Sequence, residues 1–194
     1  MQIAIVKYNA GNVESVKNAL NRLNVEPILT DEPETLKSAD RVIFPGVGEA
    51  SSAMKYLRER NLDAVVKSLR QPVLGICLGM QLLCESSDEN NTICLGILPY
   101  RVRKFASGEL KVPQMGWNNI FDLQSDLFAG VDENSYVYFV HSFYVEAGNE
   151  TTATCDYVVK FSAAVRRENF HAVQFHAEKS GAAGARILEN FLNV

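Results

Sequence analysis

The sequence predicts an α/β protein with an open, mostly parallel, doubly wound sheet to which antiparallel strands are added. Two patterns carry this prediction. In the first half of the chain, short β-branched runs alternate with segments of helical periodicity, which is typical of a parallel sheet covered by helices on both faces. In the second half, the stretches from Tyr100 to Pro113 and from Tyr136 to Gln174 are rich in strand-forming residues.

The first predicted elements are a strand, a helix and a second strand. The apolar run from Ile3 to Tyr8 predicts the first strand. Asn12 stands at the N-cap position of a helix. The apolar residues of this helix recur near helical spacing: Val13, Val16, Leu20 and Leu23. The segment from Val25 to Leu29 predicts the second strand.

The next elements lead through a glycine-containing turn. Asp31, with Glu34 three residues later, resembles a capping box for a short helix. The segment from Arg41 to Phe44 predicts the third strand, and the turn from Pro45 to Gly48 ends it. The stretch from Ala50 to Leu69 has helical periodicity throughout.

The remaining elements complete one folding unit. A short apolar strand from Pro72 to Ile76 runs into Cys77 and a following helix, and a helix from Gly184 to Phe191 closes the chain. Because 194 residues suit one ordinary globular domain, we expect a single domain over residues 1–194.

Composition and charge argue against several classes of function. A formal net charge of −4 gives no basic footprint, so we expect neither a nucleic-acid nor an anionic-membrane partner. The first residues show neither a signal peptide nor a membrane span, which predicts a cytoplasmic protein. The four cysteines lack the spacings of a zinc site, and all but Cys77 are interpreted as small buried apolar residues.

Cys77 lies in a segment that resembles a nucleophile elbow. Gly75-Ile76-Cys77-Leu78-Gly79 joins a strand to a helix, as Gly-x-Ser-x-Gly does in that motif. A cysteine at a helix N-terminus favours its reactive thiolate, and the N–H that follows it is a natural oxyanion donor. The alternative interpretation is a glycine-flanked turn around an inert buried cysteine.

A histidine must then serve as the base. His176 follows an apolar strand and stands two residues before Glu178, so in an extended segment both side chains would share a face. The carboxylate could then orient the imidazole towards the thiol. His171 is interpreted as a surface or strand residue. His141, followed by Ser142, ends a β-prone run and is by itself compatible with an ordinary edge strand.

Five motifs stand out along the chain: Pro45-Gly46-Val47-Gly48, Gly75-Ile76-Cys77-Leu78-Gly79-Met80-Gln81, Met115-Gly116-Trp117-Asn118, Tyr138-Phe139-Val140-His141-Ser142 and Gln174-Phe175-His176-Ala177-Glu178-Lys179-Ser180-Gly181. Together they resemble the class I glutamine amidotransferases, and within that class the family of glutaminase subunits of imidazole glycerol phosphate synthase, of histidine biosynthesis. The likeness extends from Met1 to the C-terminal helix.

The resemblance implies a flavodoxin-like sheet and a role for each matching residue. The implied catalytic triad is Cys77, His176 and Glu178. The implied oxyanion site is formed by Val47, Gly48 and Leu78. Residues implied to hold the glutamine substrate are Gly46, Gln81, His141 and Ser142. Residues implied to contact a separate cyclase/synthase subunit are Asn12, Trp117, Tyr138 and Lys179. Neither a metal nor an organic cofactor is implied.

The sequence departs from the family pattern at two places. The first loop usually reads Asp-Tyr-Gly, whereas Lys7 and Asn9 occupy the outer two positions here. The triad segment usually reads His-Pro-Glu, and Ala177 replaces the proline. Alanine keeps the spacing but removes a backbone restraint, so we expect retained activity and lower local rigidity.

Three alternatives stay open at this stage. A stand-alone cysteine hydrolase would use the same elbow without transferring ammonia. A non-catalytic binding module would keep only the fold, against which the intact Cys77, His176 and Glu178 argue. A paralogue with the same glutaminase chemistry would supply ammonia to another acceptor, such as a surface-sugar pathway.

Overall fold

The computed structural model describes residues 1–9, 11–106 and 108–194. Ala10, in the first loop, and Ser107, in the first strand-rich stretch, lie outside the described residues. The helices are α1 (Val13–Arg22), α2 (Pro33–Ser38), α3 (Ala50–Glu59), α4 (Leu62–Ser68), α5 (Leu78–Leu83) and α6 (Gly181–Phe191). The strands are β1 (Ile3–Val6), β2 (Ile28–Thr30), β3 (Arg41–Gly46), β4 (Val73–Cys77), β5 (Ser86–Ser87), β6 (Thr92–Ile93), β7 (Arg101–Lys104), β8 (Gln114–Asn119), β9 (Tyr136–His141), β10 (Phe143–Val145), β11 (Thr151–Asp156), β12 (Lys160–Arg167) and β13 (Phe170–Val173).

The main sheet is open and mostly parallel, as predicted. Its strand order is β11-β12-β13-β4-β3-β1-β2, with β2, β1, β3, β4 and β13 parallel and β12 and β11 added antiparallel at one edge. Every residue of β1, β4 and β13 is buried, as expected for strands that are covered on both faces. The carboxyl ends of β3 and β4 meet where Gly46 pairs with Cys77.

The other added strands do not all join this sheet. Strands β10, β7, β5 and β6 form a second small sheet, and β8 and β9 form an antiparallel pair. Trp117 on β8 remains 55% exposed, so this pair presents an aromatic surface to solvent. No helix in the part of the chain that the structure describes is long and apolar enough to cross a membrane.

The predicted helix from Ala50 to Leu69 is two helices. α3 ends at Glu59 and α4 begins at Leu62, with Asn61 between them in the left-handed region at φ 54°. A left-handed residue cannot continue a right-handed helix, and asparagine tolerates that conformation better than most side chains. Apolar periodicity spans the break because both helices pack onto the same core, so the sequence pattern did not reveal it.

Local boundaries differ from the prediction at several other points. The first strand ends at Val6 and the second begins at Ile28. The third strand continues through Gly46, so the turn that follows it begins at Val47. The prediction of a capping box at Asp31 was wrong, because Glu32 is the N-cap of α2 and no side-chain capping bond forms.

Candidate active site

The strand-to-helix junction at Cys77 has the strained backbone of a nucleophile elbow. Cys77 adopts φ 53° and ψ −110°, a conformation that residues other than glycine rarely hold unless a functional site requires it. The flanking glycines make the junction possible. A Cβ on Gly79 would lie 1.8 Å from the Phe44 carbonyl oxygen, so a side chain there would push β3 and α5 apart.

His176 and Glu178 form a buried pair beside this junction. The His176 Nδ1–H donates a hydrogen bond of 2.8 Å to Glu178 Oε1, and the two side chains are 3% and 0% exposed. The expectation of an extended segment was wrong, because Ala177–Lys179 is a short 3-10 helix. The tight turn, rather than strand alternation, brings the carboxylate back to the imidazole.

The strand pair β8–β9 holds the backbone of His176. Its N–H donates to the Tyr138 carbonyl oxygen at 2.9 Å. The Ser180 hydroxyl donates to the His176 carbonyl oxygen at 2.6 Å and accepts from the Tyr138 N–H at 2.9 Å. The position of the imidazole is therefore coupled to the strand that carries Tyr138.

The electrostatics of the site favour a charged imidazole. Burial lowers the pKa of His176, but contacts with Cys77 and Glu178 outweigh burial and raise this pKa to about 10. An imidazolium beside a cysteine favours the thiolate form of that cysteine. The arrangement therefore keeps a protonated imidazole beside Cys77 near neutral pH.

Cys77 opens onto a cavity of about 280 Å³. The residues that line it are Val47, Gly48, Cys77, Leu78, Gln81, Glu89, Pro113, Val140, His141, Ser142, Phe143 and His176. The structure thus brings together the predicted nucleophile and base, the three predicted oxyanion residues and most of the predicted substrate residues. Gly46 does not line the cavity. A Cβ on Gly46 would lie 2.2 Å from the Tyr8 hydroxyl, so this glycine permits close packing behind the site.

Two predicted substrate residues are held firmly by the protein. The Gln81 Nε2 donates to Gln174 Oε1 and to the Phe143 carbonyl oxygen, both at 3.0 Å. His141 Nδ1 lies 2.7 Å from the same carbonyl oxygen, and burial lowers the pKa of His141 to about 4. His141 Nε2 lies 2.9 Å from the Gln114 side chain, so both ring nitrogens contact the protein, while His141 and Ser142 both line the cavity.

Glu89 is a cavity residue that the sequence did not reveal. Its Oε2 accepts the Ala50 N–H at the start of α3 at 2.7 Å, and burial raises the pKa of its carboxyl group. Glu89 reaches the cavity because the short pair β5–β6 folds back towards α3. Nothing in the local sequence predicts this arrangement, and by sequence alone Glu89 resembles several other surface acids.

The four predicted contact residues lie in different surroundings. Trp117 and Tyr138 pack edge to face on the β8–β9 pair, with ring centroids 5.9 Å apart, and Lys179 is exposed. Asn12 instead directs its side chain inward. Its Nδ2 donates to Glu178 Oε1 and lies 3.4 Å from His176 Nδ1.

The other histidine and the remaining acids suggest no second centre. His171 is a buried strand residue rather than a surface one, and burial lowers its pKa to about 4. Across residues 1–9, 11–106 and 108–194, no three histidine, cysteine or acidic side chains are grouped so as to hold a metal ion.

Ala177→Pro is expected to raise the free energy of unfolding by about 0.4–1 kcal/mol without lowering activity. Ala177 is the first residue of its 3-10 helix, where proline is well tolerated, and His176 before it has the extended backbone that precedes proline readily. Denaturant unfolding and steady-state glutamine turnover measure the two effects. A loss of turnover would show that the alanine is required in this chain.

Comparison with known proteins identifies relatives over the whole chain. A family model described as glutamine amidotransferase class-I matches residues 4–194. The chain is 56% identical over 196 residues to the imidazole glycerol phosphate synthase subunit HisH of Bacteroides fragilis. It is 44% identical over 196 residues to the protein of that name from Escherichia coli K12. Both alignments cover 100% of each chain.

Solved structures share the fold at low sequence identity. A putative GMP synthase component from Thermoplasma acidophilum matches with a TM-score of 0.75 at 18% identity, over 100% of this chain and 93% of that one. PurLQS from Thermotoga maritima matches with a TM-score of 0.74 at 18% identity, over 99% of this chain and 97% of that one. These matches confirm the predicted fold class.

Proposed function

The chain belongs to the class I glutamine amidotransferase family and, within it, to the family of the imidazole glycerol phosphate synthase subunit HisH, and we propose that it is the glutaminase of such a synthase. It hydrolyses L-glutamine to glutamate and ammonia in the cytoplasm. A separate cyclase/synthase subunit uses the ammonia to form imidazole glycerol phosphate and an aminoimidazole carboxamide ribonucleotide. The observation that carries this proposal is the strained Cys77 elbow, which opens onto the same cavity as His176.

The first half of the reaction forms a thioester. The Cys77 Sγ attacks the side-chain amide carbon of glutamine, and the N–H groups of Val47 and Leu78 hold the oxyanion that develops. His176 then gives its proton to the amide nitrogen, the C–N bond breaks and ammonia leaves. The raised pKa of His176 supports this step, because the imidazole carries the proton near neutral pH.

The second half of the reaction releases glutamate. Neutral His176 takes a proton from water, which attacks the thioester carbon, and the C–S bond breaks to restore the thiolate. Glu178 holds the imidazole through Nδ1, so that Nε2 remains directed to the reacting atoms. No metal or organic cofactor takes part in either half.

Two polar side chains in the cavity suit free glutamine as the substrate. The Glu89 carboxylate is an acceptor for a cationic α-ammonium group, and Gln81, which lines the same cavity, is held by two hydrogen bonds. A free amino acid presents such an ammonium, whereas a glutamine residue inside a peptide does not. This arrangement supports a glutaminase over a peptidase.

The partner and the acceptor are tested together by an acceptor-coupled assay. We expect the chain, mixed with the synthase partner and its ribulosyl-nucleotide acceptor, to release glutamate and to incorporate the glutamine amide nitrogen into the imidazole product. Nitrogen-15 in the amide position follows the transfer. Glutamate release with no incorporation would favour another acceptor or a stand-alone hydrolase, and no release under any condition would favour a non-catalytic module.

Glu178→Gln is expected to lower glutamine turnover by about 100-fold or more while Cys77 remains slowly reactive. The carboxylate is one of the groups that raise the pKa of His176, so its loss lowers that pKa from about 10. His176 then loses its proton at a lower pH, which histidine NMR follows directly. Unchanged turnover and an unchanged pKa of His176 would remove Glu178 from the triad.

A further inference from the structure

Asn12 begins α1, yet its side chain does not cap that helix. The residue is the N-cap of α1 in the left-handed region, at φ 70° and ψ 9°, and no side-chain capping bond forms. An N-cap asparagine normally uses its side-chain oxygen for the first free N–H groups of its helix. The side chain of Asn12 instead reaches across to the segment that carries the catalytic pair.

The donors around Glu178 explain what this contact does. Glu178 Oε1 accepts hydrogen bonds from both His176 Nδ1–H and Asn12 Nδ2–H. Glu178 Oε2 is buried and accepts no hydrogen bond within the described residues. The amide nitrogen and Nδ1, which are 3.4 Å apart, are both donors and therefore converge on one oxygen instead of bonding to each other.

The orientation of a buried carboxylate depends on the donors that it meets. Without the Asn12 amide, His176 Nδ1–H would be the one remaining donor to Glu178 in the described structure. The carboxylate would then be free to rotate about its side-chain bonds. A rotation that carried Oε1 away from Nδ1 would also release the imidazole.

We propose that Asn12 is a positioning residue of the triad, whose amide fixes the Glu178 carboxylate in the orientation that holds His176. This role rests on the proposed glutaminase function and adds to the contact role that the family resemblance implies for Asn12. Because the residue stands at the start of α1, one side chain would join the expected partner surface to the catalytic pair.

The chain contains a matched control for this residue. Asn61 is likewise an N-cap in the left-handed region, at φ 54°, without a side-chain capping bond. Asn12→Gly and Asn61→Gly therefore make the same chemical change in similar backbone conformations, and glycine tolerates positive φ in both. Only the substitution at Asn12 removes a donor to Glu178.

Histidine NMR on the isolated chain gives a readout that does not depend on turnover or on a partner. The sequence has three histidines, and His141 and His171 titrate far below His176, so the His176 signal is separable. The charged or titratable groups that face His176 are Cys77, Glu178 and His141. We expect Asn12→Gly to lower the pKa of His176 by about 1, because a turned Glu178 stabilises the imidazolium less, and Asn61→Gly to leave it unchanged.

Kinetics at saturating partner separate positioning from substrate binding. We expect Asn12→Gly to lower kcat about tenfold or more with little change in the KM for glutamine, because Asn12 does not line the cavity. Asn12→Asp keeps the size of the side chain but replaces the donor with an acceptor. We therefore expect its kcat to be as low as that of Asn12→Gly. An unchanged His176 pKa in Asn12→Gly, or an equal shift in Asn61→Gly, would overturn the proposal. If no variant or wild-type protein hydrolysed glutamine, the NMR comparison would still decide the positioning role, while the glutaminase proposal itself would fail.

Discussion

Cys77→Ser is expected to reduce glutamine hydrolysis by about 10⁴-fold or more, with the fold intact. A serine hydroxyl ionises far less readily than a thiol and is the weaker nucleophile, even beside a protonated His176. The serine side chain is the same shape and keeps the elbow, so the loss should be one of chemistry. Steady-state glutamate release with saturating partner measures it.

The other three cysteines serve as controls. Cys84, Cys94 and Cys155 are all buried outside the cavity, so their serine variants should retain the chemistry even where a buried hydroxyl lowers the free energy of unfolding. An electrophilic glutamine analogue should label Cys77 alone, which peptide mass spectrometry detects. Substantial turnover by Cys77→Ser, or labelling of another thiol, would contradict the assignment of the nucleophile.

The elements that could be predicted from sequence are those whose signals are local. The elbow is readable because a crowded strand-to-helix junction needs glycine on both sides of Cys77, and the structure shows how little room Gly79 has. His176 and Glu178 are only two residues apart in the sequence. The predicted contact between them therefore forms even though the backbone there is a 3-10 helix instead of a strand. The parallel sheet follows from alternating strand and helix patterns.

The rest depended on tertiary packing that no local pattern encodes. Glu89 enters the cavity through the return of β5–β6 towards α3, a long-range arrangement. Asn12 was correctly predicted to be an N-cap, but its side chain bonds a carboxylate 166 residues away instead of its own helix. The break at Asn61 was missed because apolar residues of α3 and α4 continue one periodic stripe.

The isolated chain is expected to be a poor glutaminase that its synthase partner activates about 10²–10³-fold, an effect comparable with that of one oxyanion donor. Ammonia that is released into water is diluted and protonated, and protonated ammonia is no nucleophile. Glutamine hydrolysis without a bound acceptor subunit therefore wastes the product. A gate that completes the oxyanion site only in the complex would prevent this loss.

The peptide between Val47 and Gly48 is the element that we expect to act as this gate. Gly46, on the other side of Val47, is fixed, because it pairs with Cys77 in the sheet and packs against the Tyr8 hydroxyl. Gly48 has φ 110° and open space where a Cβ would be. The peptide that joins Val47 to Gly48 is therefore the one that can rotate. The Gly48 N–H, which belongs to this peptide, would then turn towards the oxyanion position when the partner docks.

Three parallel assays test this gate: the purified chain alone, the chain with its partner, and the chain with partner and ribulosyl-nucleotide acceptor. We expect glutamate release to rise at each step, mainly through kcat, because the oxyanion donor acts in the transition state more than in substrate binding. Gly48→Ala should blunt the rise, since alanine is strained at φ 110° and restricts the rotation. Alkylation of Cys77 by a simple haloacetamide involves no oxyanion, so its rate should respond much less to the partner. Full turnover by the lone chain, unchanged by partner and acceptor, would contradict gating and favour a stand-alone hydrolase.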